Sequence, residues 1–235
     1  MGLGHGANIV TQNLILNLDA ANSRCYVGSG SSINDISIAN QSGSLTTVST
    51  SGNGGSSSFT FNGTDSLMLF ASTVLVGVGL TNTLTCEAWI KPTTFGATNI
   101  AKIIERRLST TNSSGFSISI NNSITTNGLV FENWVRGNKQ STYVSNVIVT
   151  NAWQQVVVQI EPQTRFYVNG ELAGIGNTRD FSVSIGASTF IGTNNSSATE
   201  TFNGSIGIIR FYNRFLGADE IRNNYDATKG RYGLT

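Results

Sequence analysis

Apolar and polar residues alternate with a period of two over much of this chain, and Gly, Asn, Asp or Ser punctuates the alternation every ~10 residues. Phe116, Ile118 and Ile120 alternate with Ser117 and Ser119, the pattern of a strand with one face in a core and the other turned away from it. Val156, Val157, Val158 and Ile160 form a β-branched run of strand length behind Trp153, and Asn169-Gly170 separates Phe166-Tyr167-Val168 from Glu171-Leu172. Asn-Gly between two apolar runs is the strongest short hairpin signal a sequence offers. The pattern predicts strands at 14–18, 58–61, 67–70, 84–91, 100–105, 115–120, 128–133, 142–147, 153–160, 165–168, 171–174, 190–192 and 205–212. It predicts one helix, Ala218 to Asn224, with Gly217 as N-cap, Asp219 and Glu220 in the first turn, and Lys229 and Arg231 beyond the end, as the helix dipole prefers. Ile221 and Tyr225, four apart, would dock that helix on a sheet. Short strands at this spacing imply an all-β antiparallel sandwich with one short C-terminal helix.

Composition agrees with a single domain. The chain has 235 residues, 26 of them Gly and only two Pro, with 11% charged, which suits many short strands joined by tight turns and gives no sign of a linker. The Gly/Ser-rich stretch 49–58 reads as a loop. Fourteen basic and 13 acidic residues leave a formal charge of +1, and Arg106-Arg107 is the only adjacent basic pair, so no basic stripe points to nucleic acid. The first residues carry neither a basic n-region nor an apolar h-region, so no signal peptide is expected. The longest apolar stretch, Leu67 to Leu80, is broken by Ser72, Thr73 and glycines and is too short to span a bilayer. Cys25 and Cys86 do not make a disulfide framework; Cys86 alternates with Leu84, Ala88 and Ile90 and reads as a small buried apolar residue.

Several segments resemble a known family. In order they are Ile9 to Asn22, the turn Phe61-Asn62-Gly63-Thr64-Asp65, the strand Leu84-Thr-Cys-Glu-Ala-Trp-Ile-Lys-Pro92, the run Trp153 to Leu172, and Phe202 to Leu216 followed by the helix and Lys229-Gly-Arg-Tyr-Gly233. Together they resemble the laminin G-like, concanavalin A-like jelly roll, in a subgroup found in tailed-phage virion proteins. The resemblance implies an N-terminal arm (1–12) and one jelly-roll domain (13–235). The stretch Ser31 to Asn40 lacks the Trp and the Gly-Asn-Gly run of that subgroup, so no ligand contact of that loop is carried over.

The residues argue against catalysis. Glucanases on this jelly roll use carboxylates spaced Glu-x-Asp-x-(x)-Glu on one strand, and here Glu87, Glu105, Glu132, Glu161 and Glu171 each stand alone. The single His5 lies among glycines, which suits neither a Ser-His-Asp site nor, with two distant Cys, a zinc site. No catalytic residue is assigned. Calcium is the one cofactor the resemblance implies, with Asp19, Asp35 and Asp65 as candidate oxygen donors; Asx-turn capping by the same side chains is the favoured alternative.

A sugar site needs an aromatic platform with nearby amide and carboxyl groups. Trp134 with Glu132, Asn133, Arg136 and Asn138 is the cluster that best fits, with contact to another chain and core packing as the competing roles of Trp134. Trp89 could pack beneath a sheet, and Trp153 resembles the family's core Trp. The expectation is therefore a non-enzymatic virion surface protein, a head decoration or tail-associated subunit whose partners are capsid or tail proteins, further copies of itself and cell-surface glycan. The alternative is a bacterial carbohydrate-binding or adhesion module.

Overall fold

The computed structural model describes residues 8–72, 83–108, 114–160, 163–177, 186–194 and 199–235; His5 and Glu161 lie outside them. In chain order the strands are β1 (Leu14–Asp19), β2 (Ser32–Asn34), β3 (Ser42–Thr46), β4 (Ser49–Ser51), β5 (Ser58–Asn62), β6 (Leu67–Phe70), β7 (Leu84–Pro92), β8 (Ile100–Arg107), β9 (Gly115–Asn121), β10 (Gly128–Val135), β11 (Asn138–Val144), β12 (Gln154–Ile160), β13 (Gln163–Val168), β14 (Glu171–Asn177), β15 (Thr189–Ile191) and β16 (Asn203–Tyr212), followed by helix α1 (Ala218–Thr228) and a 3₁₀ turn at Lys229–Tyr232. They form two antiparallel sheets. The first runs β14-β13-β12-β7-β16-β5-β4, with β1 also paired to β16; the second runs β11-β10-β9-β8-β15-β6-β3-β2. The expected sandwich is thus observed.

Three strands escape the periodicity. β2, β3 and β4 are short and Ser-rich, and β4 lies inside the stretch predicted as a loop; pairing with β5 and β6 makes these segments extended, not any apolar repeat of their own. β11 also starts earlier than predicted. Arg136 and Gly137 take positive φ of 52° and 80° and join β10 to β11 as a two-residue hairpin whose Arg-Gly turn carries a weaker signal than Asn-Gly.

Alternation sorts the residues as the pattern requires. Leu84, Cys86, Ala88 and Ile90 of β7 meet Val156, Val158 and Ile160 of β12, Phe116, Ile118 and Ile120 of β9, and Ile209 and Phe211 of β16 in one core. Along one side the edge strands of the two sheets close on each other. A side chain at Gly174 or Gly176 of β14 would collide with Val144 or Thr142 of β11, so glycine there permits the close approach.

The outer face of the first sheet is covered by α1. Ile221 packs with Leu14, Val157, Tyr167, Tyr212 and Leu216, while Trp89 stacks between Tyr232, 4.4 Å away, and Tyr225, 5.8 Å away. Trp153, expected in the core, packs instead against this outer cluster, 4.4 Å from Tyr232. Beneath the helix lies a buried ionic group: Arg210 Nη1 donates to Glu87 Oε1 at 2.9 Å, Gln155 Nε2 to the same oxygen at 3.0 Å, and Asn224 Nδ2 to Glu87 Oε2 at 2.8 Å. The amide of Val10 donates to Asn224 Oδ1 at 2.8 Å and Tyr212 donates its hydroxyl to the carbonyl of Val10 at 3.1 Å, so residues ahead of β1 are tied to the helix as well.

Asn169 and Gly170 form the predicted hairpin, with φ of 52° and 80° and Val168 paired to Glu171. A Cβ at Gly170 would sit 3.0 Å from Arg222 Cδ and 3.2 Å from Tyr225 Cβ of α1. Gly170→Val combines this crowding with a β-branched residue at positive φ, and is expected to destabilise by about 1 to 3 kcal/mol. Chemical denaturation checks this, and an unchanged midpoint would contradict the role given to this turn.

Candidate functional site

The outer face of the second sheet carries most of the molecule's remaining chemistry. Register sets which side chains share it: Glu132 of β10 lies opposite Ser117 of β9 and Ser141 of β11, Trp134 opposite Lys139, and Val130 opposite Ser119 and Tyr143. On β8, Glu105 lies opposite Ser117 and Lys102 opposite Ser119, across an irregularity between Lys102 and Ile104. Lys102 donates to Glu132 Oε2 at 2.6 Å and to Ser117 Oγ at 3.0 Å; Ser117 donates to Glu132 Oε2 at 3.1 Å; Lys139 donates to Glu132 Oε1 at 2.9 Å. Glu200 brings a second carboxylate within 3.2 Å of Lys102, and Arg107 lies 3.8 Å from Glu105.

Electrostatics fix the state of this carboxylate. Burial by itself would raise the Glu132 pKa, but the Lys102 and Lys139 ammonium groups outweigh it and hold the carboxyl down at about 2. Burial pulls the Lys102 ammonium the other way, and Glu132 and Glu200 together raise it above its ordinary value. Glu132 is therefore an anion throughout the physiological range. It accepts hydrogen bonds and has no proton to give.

The face grades from buried to open. Lys102, Ser117 and Ser119 are buried. At the edge, Lys139, Ser141 and Tyr143 are exposed and alternate with the half-buried Gln140, Thr142 and Val144. Tyr143 is 45% exposed, an aromatic ring on the rim in the same row of side chains as Ser141, Lys139 and, one strand inward, the ionised Glu132.

The five residues expected to form a sugar site are only partly brought together. Glu132 and Trp134 share this face, but Asn133 points to the inner side in the row of Phe116, as alternation demands. Arg136 sits in the β10–β11 turn and Asn138 at the exposed start of β11. Trp134 is not the open platform its composition of neighbours suggests: it is 7% exposed, with the Arg107 guanidinium 4.4 Å from its ring centre. The residues missed in sequence are Lys139, Ser141 and Tyr143 of the rim, whose own alternation was the available signal, and the buried Lys102, which stands three strands away on β8.

The three candidate calcium ligands do not converge, because each carboxylate has partners of its own. Asp19 holds Arg231 in a two-pronged ion pair at 2.6 and 2.9 Å and accepts from the amide of Ala21. Asp35 is buried and accepts from the amides of Asn17 and Ser37, both at 2.8 Å, and from Ser37 Oγ at 2.6 Å. Asp65 accepts from Asn62 Nδ2 at 2.6 Å and from Thr47 Oγ1 at 3.2 Å, while Asn62 Oδ1 caps the amides of Thr64, Asp65 and Ser66. Among the described residues no group of three or more His, Cys, Asp or Glu side chains could hold a metal ion. In this structure the three carboxylates act as turn caps and as an ion-pair partner.

Comparison with known proteins bears on the fold. The model of the family described as Laminin_G_3, concanavalin A-like lectin/glucanases superfamily, matches residues 53–222. Among solved structures, domain 4 of AbnA, an extracellular arabinanase from Geobacillus stearothermophilus, in complex with arabinotriose, aligns with a TM-score of 0.67 at 15% identity, covering 92% of this chain and 100% of that one. The receptor-binding domain of botulinum neurotoxin C/D mosaic serotype aligns with a TM-score of 0.68 at 16% identity, covering 92% of this chain and 52% of that one. The binding domain of Paraclostridial Mosquitocidal Protein 1 aligns with a TM-score of 0.67 at 15% identity, covering 91% and 52%. The chain thus spans about half the length of the toxin domains it resembles. No curated protein sequence matches it.

Two outcomes follow from this geometry. The folded-state pKa of Glu132 is depressed from 4.5 to about 2, so its contribution to stability is complete above pH 4.5 and is lost as the pH falls from there toward 2. Glu132→Gln should cost about 3 kcal/mol at pH 7, since it strands a buried ammonium, and should flatten the acid limb of the stability curve; thermal denaturation between pH 2 and 7 measures both. Separately, melting curves in chelator and in millimolar calcium should coincide, and a rise in melting temperature with calcium would reveal a native-state metal site.

Proposed function

This chain belongs to the concanavalin A-like lectin/glucanases superfamily, and from that premise we propose that it is a non-enzymatic, glycan-contacting subunit of a virion surface, a head decoration or tail-associated protein. The contact falls on the β11 rim of the second sheet. A sugar ring has an apolar face and a rim of hydroxyls, and Tyr143 offers a ring while Ser141, Lys139 and Glu132 offer donors and acceptors beside it. Arg136 and Asn138 extend the polar rim at the hairpin tip, and Trp134 lies opposite Lys139 on the neighbouring strand.

The observation that carries the non-enzymatic reading is the state of Glu132. A glycosidase needs a carboxylic acid that keeps its proton near neutral pH, paired with a second carboxylate. Glu132 and Glu200 both reach the Lys102 ammonium, at 2.6 and 3.2 Å, and register sets Glu105 and Glu132 on either side of Ser117, so this face does bring carboxylates together. Yet Glu132, clamped between Lys102 and Lys139, is held at a pKa of about 2 and cannot act as the acid. On this reading the face binds and does not cleave.

The virion placement rests on the five sequence segments in the order of the phage subgroup. The likeness to a whole arabinanase domain solved with arabinotriose favours a second reading, a carbohydrate-binding or adhesion module of a bacterial protein. Immunogold labelling of purified phage particles separates the two.

On a glycan array, Tyr143→Ala should weaken retention about five- to tenfold, the scale of one aromatic contact, with a melting temperature unchanged because the ring is exposed. Incubation with β-glucan, agarose or host polysaccharide should release no reducing ends above a heat-killed control. Turnover lost in Glu132→Gln would overturn the non-enzymatic reading.

A further inference from the structure

Asn-Gly occurs five times in this chain, at Asn53, Asn62, Asn127, Asn169 and Asn203. An asparagine followed by glycine is chemically labile, because a residue without a Cβ lets its amide nitrogen approach the asparagine Cγ unhindered. In a folded protein that approach needs two freedoms. The asparagine side chain must turn toward the next peptide, and that peptide must rotate to present its nitrogen. By sequence all five pairs share one chemistry; the fold separates one from the rest.

Four of the pairs are held in place. Asn62 Oδ1 accepts from the amides of Thr64, Asp65 and Ser66 while its Nδ2 donates to Asp65 at 2.6 Å, so both ends of that side chain are engaged. Asn169 Oδ1 accepts from the amide of Gln155 at 2.9 Å, and Gly170 is buried against α1. Gly204 lies inside β16, paired to Phe61 on one side and to Pro92 on the other. Gly128 is buried at the start of β10, opposite Asn121. The backbone of Asn127 before it is fixed as well, its amide donating to Asn122 Oδ1 at 3.1 Å and its carbonyl accepting from Val147 and Ile148. In each case the peptide that would have to rotate belongs to a hydrogen-bonded turn or ladder.

Asn53 differs on each count. It stands in the loop between β4 and β5, where residues 52–56 are all exposed. Its backbone is extended, with φ of −130° and ψ of 140°, and it precedes a single 3₁₀ turn (Gly54–Ser56) without capping it through its side chain. Among the described residues neither that side chain nor the Gly54 amide has a hydrogen-bond partner. A Cβ added at Gly54 or Gly55 would meet no heavy atom within 4 Å. We propose that Asn53 is a site of spontaneous deamidation, the one Asn-Gly pair that the folded chain leaves reactive. The Gly54 nitrogen attacks Cγ of Asn53; the N–Cγ bond forms, the Cγ–Nδ2 bond breaks, and the Gly54 amide proton departs with the amino group as ammonia. Water then opens the cyclic imide at either carbonyl, giving aspartate or, where the backbone C–N bond is the one cleaved, isoaspartate. No electrons are exchanged, and water is the co-reactant. One negative charge is added, which takes the formal charge of the chain from +1 to zero. The new carboxylate appears in the loop that Arg231 holds through the Gly55 carbonyl while pairing with Asp19.

The test is peptide mapping of the full chain after prolonged incubation at physiological temperature and mildly alkaline pH, with fragmentation that assigns aspartate and isoaspartate to single positions. Conversion at Asn53 should run about tenfold or more ahead of each other Asn-Gly pair, because those pairs must open locally before they react. In denaturant the five pairs should react at similar rates, which separates the effect of the fold from that of the dipeptide. Asn53→Gln lengthens an exposed side chain by one methylene and disfavours the ring closure. It should remove the early acidic species seen by isoelectric focusing and leave the melting temperature unchanged. No conversion at Asn53, equal rates at all five positions of the folded chain, or an acidic species undiminished in Asn53→Gln would each overturn the proposal. A lead of Asn53 that persisted in denaturant would overturn it too, since the fold would then not be what selects the site.

Discussion

The first sheet is organised around a buried carboxylate. Glu87 sits in the middle of the central strand β7, on the face turned away from the core, where an uncompensated charge would cost several kcal/mol. Its compensation comes from four directions: Arg210 of the neighbouring strand β16, Gln155 of the opposite neighbour β12, Asn224 of the C-terminal helix, and, through Asn224, the backbone of Val10. These partners span almost the whole length of the chain. Satisfying one charge therefore fixes the register of three strands, seats the helix and docks the residues ahead of β1. Because β16 also pairs with β1 and β5, the order imposed at Glu87 extends across the sheet.

The helix covers that group with aromatic surface. Trp89 donates its indole N–H to Thr228 Oγ1 at 2.9 Å, and its ring lies between Tyr225 and Tyr232, so the helix and the turn after it are held by stacking and by hydrogen bonds at the same point. The Asn169-Gly170 hairpin lies directly against this layer. A glycine required by turn geometry is thus required a second time by the helix that packs on it.

The second sheet repeats the theme with a different outcome. Glu132 is as buried as Glu87 and as fully compensated, but its partners include Lys139 on an edge strand that is half in solvent. The ionic group of the first sheet is closed off by a helix. That of the second grades outward into an exposed row of Lys139, Ser141 and Tyr143. A fixed anion flanked by ammonium groups, with an aromatic ring at its margin, presents acceptors, donors and a ring face to solvent, which is the basis of the glycan contact proposed above. The difference between the two ionic groups comes down to what lies above them.

Local periodicity determined most of the architecture. The alternation at Phe116–Ile120, the Val156–Ile160 run, the Asn169-Gly170 turn and the helix from Ala218 are all observed, because steric and hydrogen-bonding preferences set by neighbouring residues act wherever the rest of the chain lies. Sequence proximity also grouped Glu132 and Trp134 correctly, since residues two apart on a strand share a face; for the same reason it misjudged Asn133, one residue off. Only the tertiary structure could decide the rest. The Ser-rich strands β2 to β4 exist because partners pair with them. Trp134 is buried because Arg107, distant in sequence, lies over its ring. Asp19, Asp35 and Asp65 bear the acidic chemistry of a calcium site, yet their nearest partners are Arg231, Ser37 and Asn62. A side chain's type limits what it can bind, but which of those options is used depends on distances across the fold, and a local pattern carries no information about them.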